Sequence, residues 1–273
     1  METILNKLTV ETLAKRLELP SYILLELAEN APNLYSEHSI PKNNSGTRIL
    51  EIPYPILKNF QKKLLDKILH KIPTHPKLFG RPGTSIKDAV ANHVKKSMVV
   101  QMDIKNFFPN TKSHKIKKAF IMNGGSQEIA NILTRLVTYK NHLPQGAPTS
   151  SCIGRIILKP FAEQLERLLI RIPKSSFSVY VDDIIISGPD GLKRIKNTIF
   201  KILKRHGFEI NKSKIYIMNR KGEQISLNIK LNNGIEATKK FLREIEELST
   251  QLPPSNPTLK GKKAFVEFLL REK

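Results

Sequence analysis

The twelve residues FSVYVDDIIISG, 177–188, set two adjacent aspartates, Asp182 and Asp183, between two apolar runs. Tyrosine and β-branched residues on both sides favour extended backbone, and two or three central residues suffice for a tight hairpin, so the acids fall at its bend. An Asp-rich turn is the plain explanation, since aspartate is common in turns. Two observations weigh against it. An exposed turn needs no such long apolar flank, and neighbouring like charges repel unless a cation or partner offsets them.

The rest of the chain sharpens the question. Its 273 residues carry 46 Lys and Arg against 24 Asp and Glu, a formal net charge of +22. That excess suits a polyanionic partner, because cations placed at phosphates release condensed counterions. Charge alone does not separate nucleic acid from an anionic membrane surface. The basic residues run along the whole chain, which implies a groove or broad footprint rather than a basic arm. Hydrophobic content of 40% and charged content of 26% fit a folded globular protein of one large or two smaller domains.

Several classes drop out. No apolar run approaches the roughly 18 residues of a spanning helix, and METILNKLTVETLAKRLELP, 1–20, does not read as a signal peptide. A single cysteine, Cys152, excludes an internal disulfide framework and a multi-cysteine zinc site. A cytoplasmic protein with no membrane partner is expected. The seven histidines show no H-E-x-x-H or finger spacing, and Cys152 opens an apolar helix, so these residues read as structural.

Read in order, apolar spacing predicts two short helices within 2–30, broken at Pro20, then a hairpin over HSIPKNNSGTRILEIPYP with its turn at 43–46. An amphipathic helix follows at 56–70. SMVVQMDI, 97–104, suits a short buried strand ending at Asp103, after which the chain turns into a basic helix. Helices are expected near 126–140, 152–170, 191–206, 236–250 and 259–271, with strands at the opening stretch, near 214–218, and as a pair around 224–235 turning at Asn232-Asn233-Gly234. Mixed helices and scattered hairpins indicate an α+β fold.

Asp103 is the second acid delivered at the end of an apolar strand. It can equally cap the segment that follows. Together with Asp182, however, it suggests facing strand ends that hold two hard cations through oxygen ligands. That is the arrangement an in-line phosphoryl transfer needs, with a basic surface holding the polyanion.

At this point a family resemblance enters. VYVDD resembles the Y-x-D-D box of reverse transcriptases, and MDIKNFF the D-x-x-x-F-F segment of their bacterial branch. LPQGAPTS, 143–150, is similar to the Q-G-x-P-T-S loop of retron and related defence-associated enzymes. HGFEINKSK and LKGKKAFVEF resemble later retron-type segments in the same order. The resemblance implies a right-hand polymerase fold with fingers (39–97 and 112–143), a palm of antiparallel sheet backed by helices (98–111 and 144–235), a short helical thumb (236–273) and an N-terminal helical extension (1–38).

It also implies roles. Asp103 and Asp182 match the principal metal-binding aspartates, Asp183 their neighbour, and the Ile104 carbonyl completes the shell of two Mg²⁺ ions. Phe108 matches the aromatic beneath the incoming sugar, which implies deoxynucleotide use, while Phe107 can be core. Gln145 and Gly146 match the loop against the nucleotide, Lys42 and Arg48 the two cations on the triphosphate, and Lys214 the proton donor near pyrophosphate, with Lys212 as a competitor.

The implied activity is RNA-directed DNA synthesis from a primer 3′-hydroxyl. Its implied partners are a structured non-coding RNA template, an RNA–DNA hybrid, deoxynucleotides and a toxin or effector protein in antiphage defence. A non-polymerising RNA-binding scaffold of the same fold stays open beside it, as does a group II intron-type enzyme, for which the chain after the thumb leaves no room for the usual extra domains. Departures from the retron pattern are Ala89 in AVANH where asparagine is usual (His93 is retained), ISL at 225–227, and SSCIGR ending at Gly154 and Arg155. The tight turn of the Y-x-D-D box also strains its central residue, a cost that β-branched Val181 raises.

Overall fold

The computed structural model describes residues 3–41 and 46–271. The chain divides into two compact units, Met1–Arg81 with Lys105–Pro160, and Pro82–Ile104 with Phe161–Lys273. Helices α1 (Val10–Arg16) and α2 (Ser21–Asn30) precede strands β1 (Tyr35–Pro41) and β2 (Thr47–Pro53), helix α3 (Pro55–Lys67), strand β3 (Leu78–Phe79) and helix α4 (Ile86–Ala91). Strand β4 (Met98–Ile104) leads to helices α5 (Phe107–Asn110), α6 (Ser113–Met122), α7 (Gln127–Val137) and α8 (Ser150–Leu169). Strands β5 (Ser176–Tyr180) and β6 (Asp183–Gly188), helix α9 (Lys196–Arg205), strands β7 (Ile210–Asn219), β8 (Ile225–Ser226), β9 (Ile229–Lys230) and β10 (Glu236–Ala237), and helices α10 (Lys239–Gln251) and α11 (Pro257–Leu270) complete the order.

The first unit is helical with one hairpin. Helix α7 turns Ile129, Ile132, Leu133, Leu136 and Val137 inward, and these pack with Leu13, Leu17 and Leu24 of the N-terminal helices and Ile116 and Phe120 of α6. Burial of apolar area at this 3.6-residue spacing holds the short helices, few of which would be stable alone. β1 and β2 pair antiparallel from Tyr35↔Pro53 to Pro41↔Thr47. Burial falls along the hairpin, from Tyr35 and Pro53 at the base to exposed Ile40 and Arg48.

The second unit is built on an antiparallel sheet in which β5, β6, β4 and β7 are successive neighbours. Ile184, Ile185 and Ile186 of β6 are fully buried, so both faces of this central strand are covered and its sequence reads as a continuous apolar run. Val99 and Ile185 pack with Val90 of α4, Ile229, Leu231 and Leu269. Helix α4 starts at a capping box in which Ser85 and Asp88 satisfy each other's backbone N–H groups.

Several expectations are adjusted. The pair expected at 224–235 is a three-stranded sheet, β10-β9-β8, because Leu227 and Asn228 take left-handed backbone (φ 51 and 62) and make an additional tight turn. The helix expected from 236 starts at Lys239, where the Thr238 side chain caps the Phe241 N–H. The helix expected at 191–206 divides into a 3₁₀ segment, Asp190–Ile195, and α9. Strand β3 and helix α4, too short to show a period, were not expected from the sequence. The turn expected at 43–46 lies outside the described residues except for Gly46.

Candidate active site

Strand pairing alone brings the acids of the second unit together. β4 and β6 are in register with Asp103 opposite Asp183, and β5 and β6 with Tyr180 opposite Asp183, leaving Val181–Asp182 as a two-residue turn. The Ile104 N–H donates to the Asp182 carbonyl at 2.9 Å, which ties the turn to the end of β4. Asp103, Asp182 and Asp183 are all half-buried. Val181 takes φ 59, a left-handed conformation that is costly for a β-branched residue, by about 1–3 kcal/mol.

The sheet's alternation places Gln101 on the same face as Asp103, and its amide donates to Asp183 Oδ1 at 3.0 Å. Sequence reasoning missed Gln101; the signal was a lone polar residue two positions before an acid in an apolar strand. On β7, Lys214 Nζ donates to Asp103 Oδ2 at 2.9 Å, and that bond raises the affinity of the lysine for its proton. Lys212 is exposed on the same strand. Burial, then the charges of Asp183 and Asp103, push the Asp182 carboxyl up to about 6. Burial also raises Asp183, against the opposing hydrogen bond from Gln101.

This donor set suits a hard divalent cation: oxygen ligands only, half withdrawn from water, repelling one another until positive charge arrives. With Asp103 turned to Lys214 and Asp183 to Gln101, no group of three or more acid, histidine or cysteine side chains closes on an ion among the described residues.

The remaining expected residues lie in the first unit. Phe107 is 2% exposed and Phe108 half-buried, their rings edge-to-face at 5.4 Å. Gly154 makes room for Phe107, since a Cβ there would lie 2.8 Å from the ring. Arg155, 5% exposed, donates to the Gly80 carbonyl, while its Nε is buried without a partner. Burial pushes the Cys152 thiol up to about 11, far from a reactive thiolate at neutral pH. Arg48 is exposed on β2, and Lys42 lies outside the described residues.

The Gln145–Gly146 loop is fastened to β2. The Glu51 N–H donates to the Gln145 carbonyl at 2.8 Å, and the Gln145 N–H donates to Glu51 Oε2 at 3.1 Å. Gly146 takes φ 136, and a Cβ there would lie 3.0 Å from the Glu51 carbonyl oxygen, so only glycine allows this approach. Ser150 Oγ donates to the Pro144 carbonyl at 2.6 Å. Glu51 and His142 were not singled out by sequence, because an acid on a hairpin strand and a histidine before a loop carry no motif.

The profile of the family described as reverse transcriptase (RNA-dependent DNA polymerase) matches residues 40–251. Retron Mx65 reverse transcriptase of Myxococcus xanthus is 29% identical over 222 residues, covering 74% of this chain and 52% of that protein. Retron Ec86 reverse transcriptase of Escherichia coli is 27% identical over 200 residues, covering 70% and 61%. The chain thus spans between half and two thirds of the length of these relatives. A Candida tropicalis telomerase solved with a fragment of telomeric RNA matches in fold with a TM-score of 0.53 at 13% identity, covering 92% of this chain and 57% of that one. The apo telomerase of the same organism gives 0.53 at 12% identity, covering 74% and 47%. The shared fold is the α+β right-hand polymerase class.

Proposed function

The chain belongs to the reverse transcriptase family, and from that premise we propose that it is an RNA-directed DNA polymerase of the retron type, extending a primer 3′-hydroxyl with deoxynucleotides. The observation that carries the reading is the register of β4 and β6, which sets Asp103 against the Asp182–Asp183 turn. The carboxylates of Asp103, Asp182 and Asp183, with the Ile104 carbonyl, would hold two Mg²⁺ ions, which would supply activation of the attacking hydroxyl and neutralisation of charge on the phosphoryl group. Gln101 orients Asp183, and the buried base of the sheet keeps the carboxylates from splaying apart.

Lys214 starts hydrogen-bonded to Asp103 and carries a proton on Nζ that it delivers to the departing pyrophosphate. Phe108 packs beneath the sugar and excludes a 2′-hydroxyl. Gln145 and Gly146 line the nucleotide, and Arg48 and Lys42 grip its triphosphate. The fingers are residues 39–97 and 112–143, the palm 98–111 and 144–235, and the thumb 236–273, with 1–38 as an extension of the fingers.

The template is a structured non-coding RNA, the product an RNA–DNA hybrid, and the setting antiphage defence in the cytoplasm beside a toxin or effector protein. The charge of +22 supports the polyanionic partners. No helix among the described residues is long and apolar enough to cross a membrane.

Incubating the purified chain with a primed RNA template, deoxynucleotides and Mg²⁺, beside Asp182→Asn, tests the reading. Extension by the unmodified chain and its loss in the variant are expected; equal extension by both proteins, or none by either, would reject it.

A further inference from the structure

Glu51 is a carboxylate only 7% exposed, on a hairpin whose outer half is exposed, and it meets the Gln145–Gly146 segment with both its main chain and its side chain. The same side chain meets His142 Nε2 at 2.9 and 3.1 Å. The other ring nitrogen, Nδ1, lies 3.0 Å from the Lys140 carbonyl. Both ring nitrogens therefore face oxygen atoms, one pair on the Glu51 carboxylate and one on the Lys140 carbonyl, which fixes the orientation of the ring. A buried carboxylate is costly without partners, and Glu51 meets the His142 ring and the Gln145 N–H.

The surroundings limit how this cluster can move. Lys140 pairs with Glu37 of β1 at 2.6 Å, and Tyr139 stacks on Tyr35 with ring centroids 4.7 Å apart. Lys140 and Asn141 form a two-residue turn with φ 45 and 63, closed by bonds of 2.9 Å in both directions between Tyr139 and His142. The segment 139–146 is thus held to the β1–β2 hairpin by four residue pairs, Tyr35–Tyr139, Glu37–Lys140, Glu51–His142 and Glu51–Gln145.

We propose that Glu51 and His142 are positioning residues that latch the Gln145–Gly146 loop to β2 and thereby set the affinity for the incoming deoxynucleotide. The proposal rests on the polymerase reading above for its second half; the latch itself does not. In that reading the same strand carries Arg48, three residues from Glu51, so one short segment aligns both the triphosphate cation and the loop. Removing either partner breaks the same contact, so the two substitutions should not add.

The test compares Glu51→Gln, His142→Gln and the double variant, which leaves a neutral amide pair able to hydrogen-bond if a single variant folds poorly. Single-nucleotide extension should show KM for the deoxynucleotide raised about tenfold in each single variant with kcat nearly unchanged, and the double variant no worse than the singles. Hydrogen exchange of the Gln145 amide, read on the peptide spanning 143–147, should accelerate in Glu51→Gln without any need for activity. Unchanged exchange overturns the latch. Faster exchange with unchanged KM overturns its link to the nucleotide. Failure of the unmodified chain to extend any primer rejects the polymerase reading, while the exchange result still decides the latch.

Discussion

The turns Val181–Asp182 and Lys140–Asn141 are both two-residue bends with left-handed backbone, yet they are built on opposite terms. In the second, asparagine tolerates the backbone it adopts, and the two flanking side chains each meet a carboxylate, Lys140 that of Glu37 and His142 that of Glu51. In the first, a β-branched valine holds φ 59, and the acids around it share one sign, with Lys214 partly offsetting them. One turn is electrostatically at rest. The other keeps strain and repulsion that the packing of β4, β5 and β6 holds in place.

The sharpest way to break this contrast is at Asp182. Asp182→Asn should reduce primer extension by at least about a thousandfold while stabilising the fold by about 1–2 kcal/mol, because a buried like charge disappears. Extension assays and denaturant titration of the same preparation check both signs, and a destabilised variant would mean that the repulsion is not real. Next in size is Gly146→Ala on the resting side. The new Cβ would press the Glu51 carbonyl, with an expected loss of about 1–3 kcal/mol and a rise in KM for the deoxynucleotide.

Smaller effects come from exchanging the turn residues. Val181→Asn should gain about 1 kcal/mol by relieving left-handed strain, and Asn141→Val should lose about as much, both read as midpoints of denaturant unfolding. Equal effects of one sign would erase the distinction. Smallest is Glu37→Gln, which removes an exposed ion pair from Lys140 and should leave the melting temperature unchanged.

The acids of the site were legible because each interrupts a strongly apolar, β-forming segment, and a carboxylate in such a place requires an explanation. The paired strands at 35–53 and the long helix after the Gln-Gly loop were legible for the same reason, a clear period or turn chemistry. Gln101, Glu51 and His142 were not. Gln101 acquires meaning only from the residue opposite it across the ladder, and Glu51, in RILEIP, has the local pattern of a solvent-facing strand position. What buries it is the loop bearing Gln145, 94 residues later in the chain. Likewise, Lys214 and its neighbour Lys212 have equivalent local sequence; the bond to Asp103 separates them.

The sequence by itself determined the family, most of the element types and the oxygen-donor chemistry of the carboxylates, because these depend on local propensity and on residue types kept in a fixed order. Tertiary structure decided which residues hold that chemistry in place. The reason is physical: a hydrogen bond between residues distant along the chain depends on strand register and loop closure, and neither is written in the neighbourhood of either partner.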